Sequence, residues 1–204
     1  MSLEIERKFL IEDETVDFLK KNYQHEILGI AQWYTDDALK DFESKRIRLI
    51  VYPDGSEKWI TGTKKSIGGS LVFREEIEKE LEGDHSALSL EGFPFVLKIR
   101  YLFNTYPGVE LVIDKFPANP FAVFDTPYLM EIEIKDESKN HPDIFDKVCT
   151  YFKVSPSEDV SERPEYTNHA IARKTIDRKK DGRSQKDVRD FLSKLLTMEE
   201  KYGE

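Results

Sequence analysis

The stretch Glu4-Ile5-Glu6-Arg7-Lys8-Phe9-Leu10 puts Glu4, Glu6 and Lys8 on one face of an extended chain and Ile5 and Phe9 on the other, because successive side chains of a strand point opposite ways. The same alternation runs through most of the chain up to residue 137. It predicts eight strands, over about 3–11, 27–35, 44–53, 57–65, 71–82, 95–104, 109–116 and 127–135. Turn chemistry separates several of them. Pro53-Asp54-Gly55-Ser56 joins the third and fourth as a hairpin, Ile67-Gly68-Gly69 joins the fourth and fifth, and Tyr106-Pro107-Gly108 joins the sixth and seventh. Pro117-Ala118-Asn119-Pro120 marks a longer loop before the eighth.

Helical spacing appears in three places. Residues 13–23 follow Asp13 as N-cap, with Val16, Leu19 and Tyr23 on one face. Residues 141–152 align Ile144, Phe145, Val148 and Phe152, with Pro142 in the first turn. Residues 184–202 start at Ser184 and repeat Val188, Phe191, Leu192, Leu195 and Leu196. Residues 155–183 are rich in Ser, Pro, Lys and Arg and read as a solvated linker, most of all the basic run Arg178-Lys179-Lys180-Asp181-Gly182-Arg183.

Composition narrows the class. The chain has 204 residues, 35% charged against 39% hydrophobic, and its 31 Lys+Arg against 40 Asp+Glu give a net charge of −9. An acidic chain does not suit a nucleic-acid duplex or a membrane surface, both of which recruit excess Lys and Arg. Aromatic residues at 12% argue against disorder. One cysteine, Cys149, forbids an intramolecular disulfide and fits the cytoplasm. No run of 18 apolar residues occurs, and the N-terminus lacks the basic and apolar regions of a signal peptide.

The charges are segregated by strand. Arg46 and Arg48 oppose Ile47, Leu49 and Val51; Lys98 and Arg100 oppose Leu97, Ile99 and Tyr101. Glu110, Val112 and Asp114 oppose Leu111 and Ile113; Glu131, Glu133 and Lys135 oppose Met130, Ile132 and Ile134. Arg74, Glu76, Glu78 and Glu80 share a face of the fifth strand. One reading is an open antiparallel sheet with a solvated charged face. Against it, like charges two apart repel, and a surface made only for solubility mixes signs. The other reading closes the eight strands into a barrel, charged face inward, apolar face outward under helices or a second subunit. Buried charges must then be matched. Carboxylates on one wall hold a divalent cation, Lys and Arg on the other hold a polyanion, and a metal-bridged polyphosphate satisfies both.

These residues resemble a known family. Glu4-Ile5-Glu6-Arg7-Lys8 is similar to the ExExK motif that opens the CYTH domain of the triphosphate tunnel metalloenzymes. Arg46-Ile47-Arg48 resembles that family's RxR, Thr63-Lys64-Lys65 its lysine strand, and Arg74-Glu75-Glu76-Ile77-Glu78 its RxExE strand. Lys98-Ile99-Arg100-Tyr101, Glu131-Ile132-Glu133 and Tyr166-Thr167-Asn168 with Ala170, Ile171 and Ala172 follow in the family's order, so the likeness covers about residues 3–173. It implies an α+β, mainly antiparallel fold: a closed eight-stranded tunnel with charged interior and flanking helices. Residues 1–173 would form that domain and 174–204 a helical extension packed on it, with a homodimer as an option.

The resemblance also implies roles. Glu4, Glu6, Glu131 and Glu133 would ligate or orient Mg²⁺ or Mn²⁺, with Glu76, Glu78 and Asp114 as further acidic candidates. Arg46, Arg48, Lys65, Arg74, Lys98 and Arg100 would hold the triphosphate, and Lys8 would contact phosphate or position water. Lys65 is preferred over Lys64 because it shares a face with Trp59, Thr61 and Thr63, whereas Lys64 shares one with Ile60 and Gly62. Two departures stand out. Val112 replaces the glutamate of the family's ExD, with Glu110 as substitute, and Arg163-Pro164-Glu165 precedes Tyr166 in place of an acidic-then-basic pair. The implied activity is metal-dependent hydrolysis of a triphosphate, inorganic tripolyphosphate foremost. Adenylate cyclase, thiamine triphosphatase and action on RNA 5′-triphosphate ends use the same kind of site, and a non-catalytic polyphosphate- or nucleotide-binding module is the alternative of another class. Cys149 reads as a buried core thiol, Trp33 and Trp59 as packing residues, and His25, His85, His141 and His169 as surface or capping residues.

Overall fold

The computed structural model describes residues 2–35, 43–85, 88–117, 127–134, 143–155, 158–175 and 184–202. Along the chain come β1 (Ser2–Leu10), α1 (Asp13–Asn22), β2 (Glu26–Tyr34), β3 (Glu43–Val51), β4 (Glu57–Ser66) and β5 (Phe73–Glu80). Then follow β6 (Phe95–Tyr106), β7 (Val109–Lys115), β8 (Tyr128–Ile134), α2 (Ile144–Phe152), β9 (Glu158–Asp159), a 3-10 turn (Pro164–Tyr166), α3 (Asn168–Thr175) and α4 (Gln185–Tyr202). The strands pair in the order β5-β4-β3-β2-β6-β7-β8-β1-β9, and a further β1–β5 ladder closes β1 to β8 into an antiparallel barrel. All eight strands read from the alternation are present, and closure is the reading that holds. It needs β1 to serve two partners: Ser2 to Ile5 pair with β5, and Ile5 to Leu10 with β8.

The apolar faces point outward, under helices. Ile5, Phe9, Ala31, Trp33, Leu49, Val51, Trp59, Tyr101, Leu111 and Ile132 share one buried cluster with Val16 and Leu19 of α1, with Ile144, Phe145, Val148 and Phe152 of α2, and with Val188, Leu192 and Leu196 of α4. Burying a Leu or Val side chain contributes roughly 1.5–3 kcal/mol, so this outer shell is where the barrel draws its stability. α4 approaches β2 at Gly29, where an added Cβ would lie 3.0 Å from Leu196 Cδ1. Trp33 and Trp59 stack at 5.9 Å in the same shell, as packing residues. Phe191, expected on the buried face of α4, is exposed, and Cys149 is half-buried. α1 begins with Asp13 already in its first turn; Glu12 takes the cap position with no side-chain bond.

Residues 155–183 differ from the expected linker. They contain β9, the 3-10 turn and α3, and Tyr166, Ile171 and Ala172 pack with Leu10, Tyr34, Val96, Phe116, Leu129 and Val160. Leu10, Tyr34, Val96 and Leu129 belong to inward-facing positions, so this segment seats across one end of the barrel. The basic run 178–183, the 118–120 loop, His141, Pro142 and Lys135 lie outside the described residues.

Candidate functional site

The inward faces enclose a cavity of about 440 Å³, within the range of small-molecule sites. Eight acidic and seven basic side chains line it. The lining is therefore near neutral: a polyanion entering alone would leave it strongly negative, and each accompanying divalent cation would offset two of those charges.

The acidic wall comes from β1 and β8, whose register sets Glu6 beside Glu133 and Lys8 beside Glu131. One carboxylate oxygen from each of Glu4, Glu6 and Glu133 lies within 4.8 Å of the others, and all three residues are buried. Burial, with repulsion from Glu133, Glu6 and Glu76, pushes the Glu4 carboxyl well above the usual range despite Lys64. Burial also opposes ionisation of Glu6, yet Arg74, Lys64 and Lys8 outweigh it and hold that carboxyl well below. Lys64 and Lys8 stand within ion-pair range, but Glu4 Oε2 and Glu6 Oε1 receive no well-directed hydrogen bond. Three clustered carboxylate oxygens are hard donors of the kind that a divalent cation such as Mg²⁺ or Mn²⁺ takes.

The basic wall comes from β3, β4 and β6. Arg46 pairs with Glu76 and, at 2.8 Å, with Glu78; Arg48 reaches Glu78 at 3.2 Å. Gly62 makes room for this cluster, since a Cβ there would lie 2.9 Å from the Ile77 carbonyl oxygen and 3.3 Å from Glu78 Cγ. Arg100 donates to Asp114 at 2.7 and 2.8 Å and to Glu131 at 3.1 Å. Asp114, fully buried, also accepts from Lys98 at 2.5 Å. Burial and the adjacent Arg100 push Lys98 down to about 8. Despite its own burial, Asp114 is held well below the carboxylate range by Arg100 and Lys98. Burial and Lys64 act oppositely on Glu76, and Lys64 with Arg46 brings it down to about 2.

No protein-family profile matches the sequence, and no curated protein matches it. Solved structures do. A protein from Pyrococcus horikoshii OT3 superposes with a TM-score of 0.56 at 19% identity, over 75% of this chain and 92% of its own. A conserved hypothetical protein from Pyrococcus furiosus gives 0.55 at 18%, over 78% and 95%. A putative adenylyl cyclase from Hippeastrum, described as having a dominant triphosphatase activity, gives 0.52 at 16%, over 85% and 95%. This is the CYTH-type tunnel fold.

Within this tunnel fold, Glu4, Glu6, Lys8, Arg46, Arg48, Arg74, Glu76, Glu78, Arg100, Glu131 and Glu133 all line the cavity, as the strand alternation implied. Lys65 does not. It is exposed, whereas Lys64 lines the cavity and bonds Glu4 and Glu6 at 2.8 Å each. The expectation failed because Trp59, taken as the start of a polar-leaning inner series, stacks on Trp33 in the outer shell, which fixes the opposite face as inner. Lys98 and Asp114 are not among the residues lining the cavity; Asp114 pairs with Lys98 and Arg100 and is not part of the Glu4, Glu6 and Glu133 group. Glu76 and Glu78 face arginines. Val112 is fully buried at the register position of Glu131, and Glu110 lines the cavity at that of Glu133.

Several residues in or beside the site have no assigned role there from the sequence, and Asn168 is known only as part of the Tyr166-Thr167-Asn168 segment. His169, expected as a surface or capping residue, is buried against Tyr34, with ring centroids 4.9 Å apart. Gln32, fully buried, accepts from Arg48 Nε at 2.9 Å and donates to the Tyr34 hydroxyl. Leu28, Ile30, Gln32 and Tyr34 form the inner face of β2, and a mostly apolar face cannot be told from an outer one before its register with β3 is known. Asn168 reaches toward Lys98 at 3.5 Å from the start of α3.

Proposed function

We propose that this chain hydrolyses a triphosphate, inorganic tripolyphosphate foremost, with help from a divalent cation. The observation that carries the reading is the near-neutral cavity in which the clustered, buried carboxylates of Glu4, Glu6 and Glu133 face Arg46, Arg48, Lys64 and Arg100. Phosphoryl transfer asks for in-line positioning and charge neutralisation more than for covalent help. A cation held by Glu4, Glu6 and Glu133 would neutralise phosphate oxygens and acidify a bound water. Arg46, Arg48 and Arg100 would bind the non-reacting phosphates, guanidinium groups matching two oxygens at once. Asp114 and Gln32 would hold Arg100 and Arg48 in place for that contact. Lys8, set between Glu6 and Glu131, would orient the attacking water or the oxygen it displaces. The tunnel would be carried by residues 1–173, with 174–204 as a helical extension.

The test is direct. Purified protein with Mg²⁺ or Mn²⁺ receives tripolyphosphate, ATP and thiamine triphosphate, and free phosphate and cyclic AMP are measured. Phosphate release fastest from tripolyphosphate supports the proposal. Cyclic AMP from ATP would replace it with a cyclase. Val112 favours a second reading, a non-catalytic module, because it removes one acid from the wall beside Glu131. Thermal stabilisation by tripolyphosphate without product from any substrate would establish that module.

A further inference from the structure

The ammonium of Lys64 lies 2.8 Å from Glu4 and 2.8 Å from Glu6, the two carboxylates that also belong to the three-carboxylate cluster. It therefore stands where positive charge among those carboxylates is needed. We propose that Lys64 is an exchangeable internal counter-ion: it holds Glu4 and Glu6 until a divalent cation displaces it, and then moves to the incoming polyanion. The inference rests on the reading of Glu4, Glu6 and Glu133 as the cation site.

Four features together distinguish Lys64 from Lys8 and Arg74. Lys8 is fixed on β1 itself, between Glu6 and Glu131, and Arg74 is tied by its Nε to the Leu71 carbonyl at 2.5 Å. Lys64 alone of these three comes from β4, on the wall that carries Gly62 and faces Arg46. Its ammonium sits on a flexible four-carbon stem, so a change of partner needs only side-chain rotation. Its side chain is also more open, 11% exposed against 3% for that of Lys8.

The consequence is coupling. While Lys64 occupies Glu4 and Glu6, a cation must compete with it; once freed, it adds a positive charge to the anion-binding wall. Cation and polyanion should therefore each tighten the binding of the other, by one shared factor. The lysine makes the cavity accept the two together in preference to either alone.

Mn²⁺ binding to the full chain, counted by electron paramagnetic resonance of the free ion, tests this without turnover. With no anion present, Lys64→Gln should bind Mn²⁺ about tenfold or more tightly than wild type, because one competing charge is gone. Lys64→Arg, which keeps the charge, should stay close to wild type. In wild type a non-hydrolysable imidotriphosphate should tighten Mn²⁺ by a similar factor, and in Lys64→Gln most of that gain should vanish. Equal Mn²⁺ affinity in wild type and Lys64→Gln, with Glu6→Gln still abolishing binding, would overturn the exchange while leaving the cation site standing. No Mn²⁺ binding to wild type or Lys64→Gln would overturn both. The wild-type coupling measurement stands by itself if Lys64→Gln fails to fold: absence of coupling there refutes the proposal.

Discussion

Asp114→Asn is the most informative single change for the architecture of the basic wall. The amide keeps the shape of the side chain and removes the charge shared by Lys98, at 2.5 Å, and Arg100, at 2.7 and 2.8 Å. All three groups are buried or nearly so. Breaking a buried ion pair from one side typically costs about 3–5 kcal/mol, since the remaining charge keeps its desolvation penalty. Two cations lose their partner here, which argues for the upper part of that range. Arg100 keeps Glu131 at 3.1 Å, which argues against exceeding it. The expected loss is about 4 kcal/mol, or a fall in Tm of about 8–16 °C for a chain of this size. Urea unfolding followed by circular dichroism reads it. The pH dependence adds a sign. Lys98 releases its proton more readily folded, near pH 8, than unfolded, near 10.5. Its burial penalty is therefore full below pH 8 and fades as pH rises toward 10.5. Without the carboxylate the ammonium is disfavoured further, so the loss in Asp114→Asn should be smaller at pH 9 than at pH 6. Adding Lys98→Met should recover part of the stability, because an apolar stem replaces the stranded charge. A loss under about 1 kcal/mol, or no recovery in the double variant, would refute the assignment of Asp114 as the counter-ion of this wall.

Three further outcomes are expected. Glu4→Gln with Glu6→Gln should abolish Mn²⁺ binding and turnover while far-ultraviolet circular dichroism stays native; retained Mn²⁺ affinity, measured by calorimetry, would exclude these carboxylates as ligands. Gly62→Ala forces a Cβ to 2.9 Å from the Ile77 carbonyl, so it should destabilise the chain by about 1–3 kcal/mol and raise KM through Arg46, with steady-state kinetics as the check. Leu192→Ala, at a fully buried position of α4, should cost about 2–5 kcal/mol in urea unfolding; a loss under about 0.5 kcal/mol would mean that α4 contributes little to the outer shell.

Where a strand carries charge on one face and aliphatic residues on the other, its orientation was legible. Glu4, Glu6 and Lys8 against Ile5 and Phe9 separated the two faces, and so did Arg46 and Arg48 against Ile47 and Leu49; that the charged face lines an interior depended on closure. Inner faces that are themselves apolar were not legible, as Leu28 and Ile30 of β2 show. On β4 the indole of Trp59 and the missing side chain of Gly62 misled for the same reason: polarity was taken as the mark of the interior, when the interior at that point needed space for Arg46. The pairing of Asp114 with Lys98 and Arg100 depends on the β6–β7 register, in which Arg100 faces Asp114, and register is not written in either strand alone. α3 escaped because eight residues give too little periodicity to stand out beside Ser, Pro and Lys. Closure itself rests on the β1–β5 ladder, a contact between distant parts of the chain with no local signature.

That ladder also orders events in time. β1 is synthesised before its partners β5, β8 and β9, the last of which lies more than 140 residues further along the chain. Glu6 cannot meet Glu133, nor Glu4 meet Arg74, until these late strands exist. Contacts of such long sequence separation form slowly, because the loop must close before the pairing rewards it. The carboxylate cluster is consequently expected among the last features to assemble, since Glu133 of β8 joins Glu4 and Glu6 only once β1 and β8 have paired. The strand that closes the barrel is thus also the strand that completes the cluster.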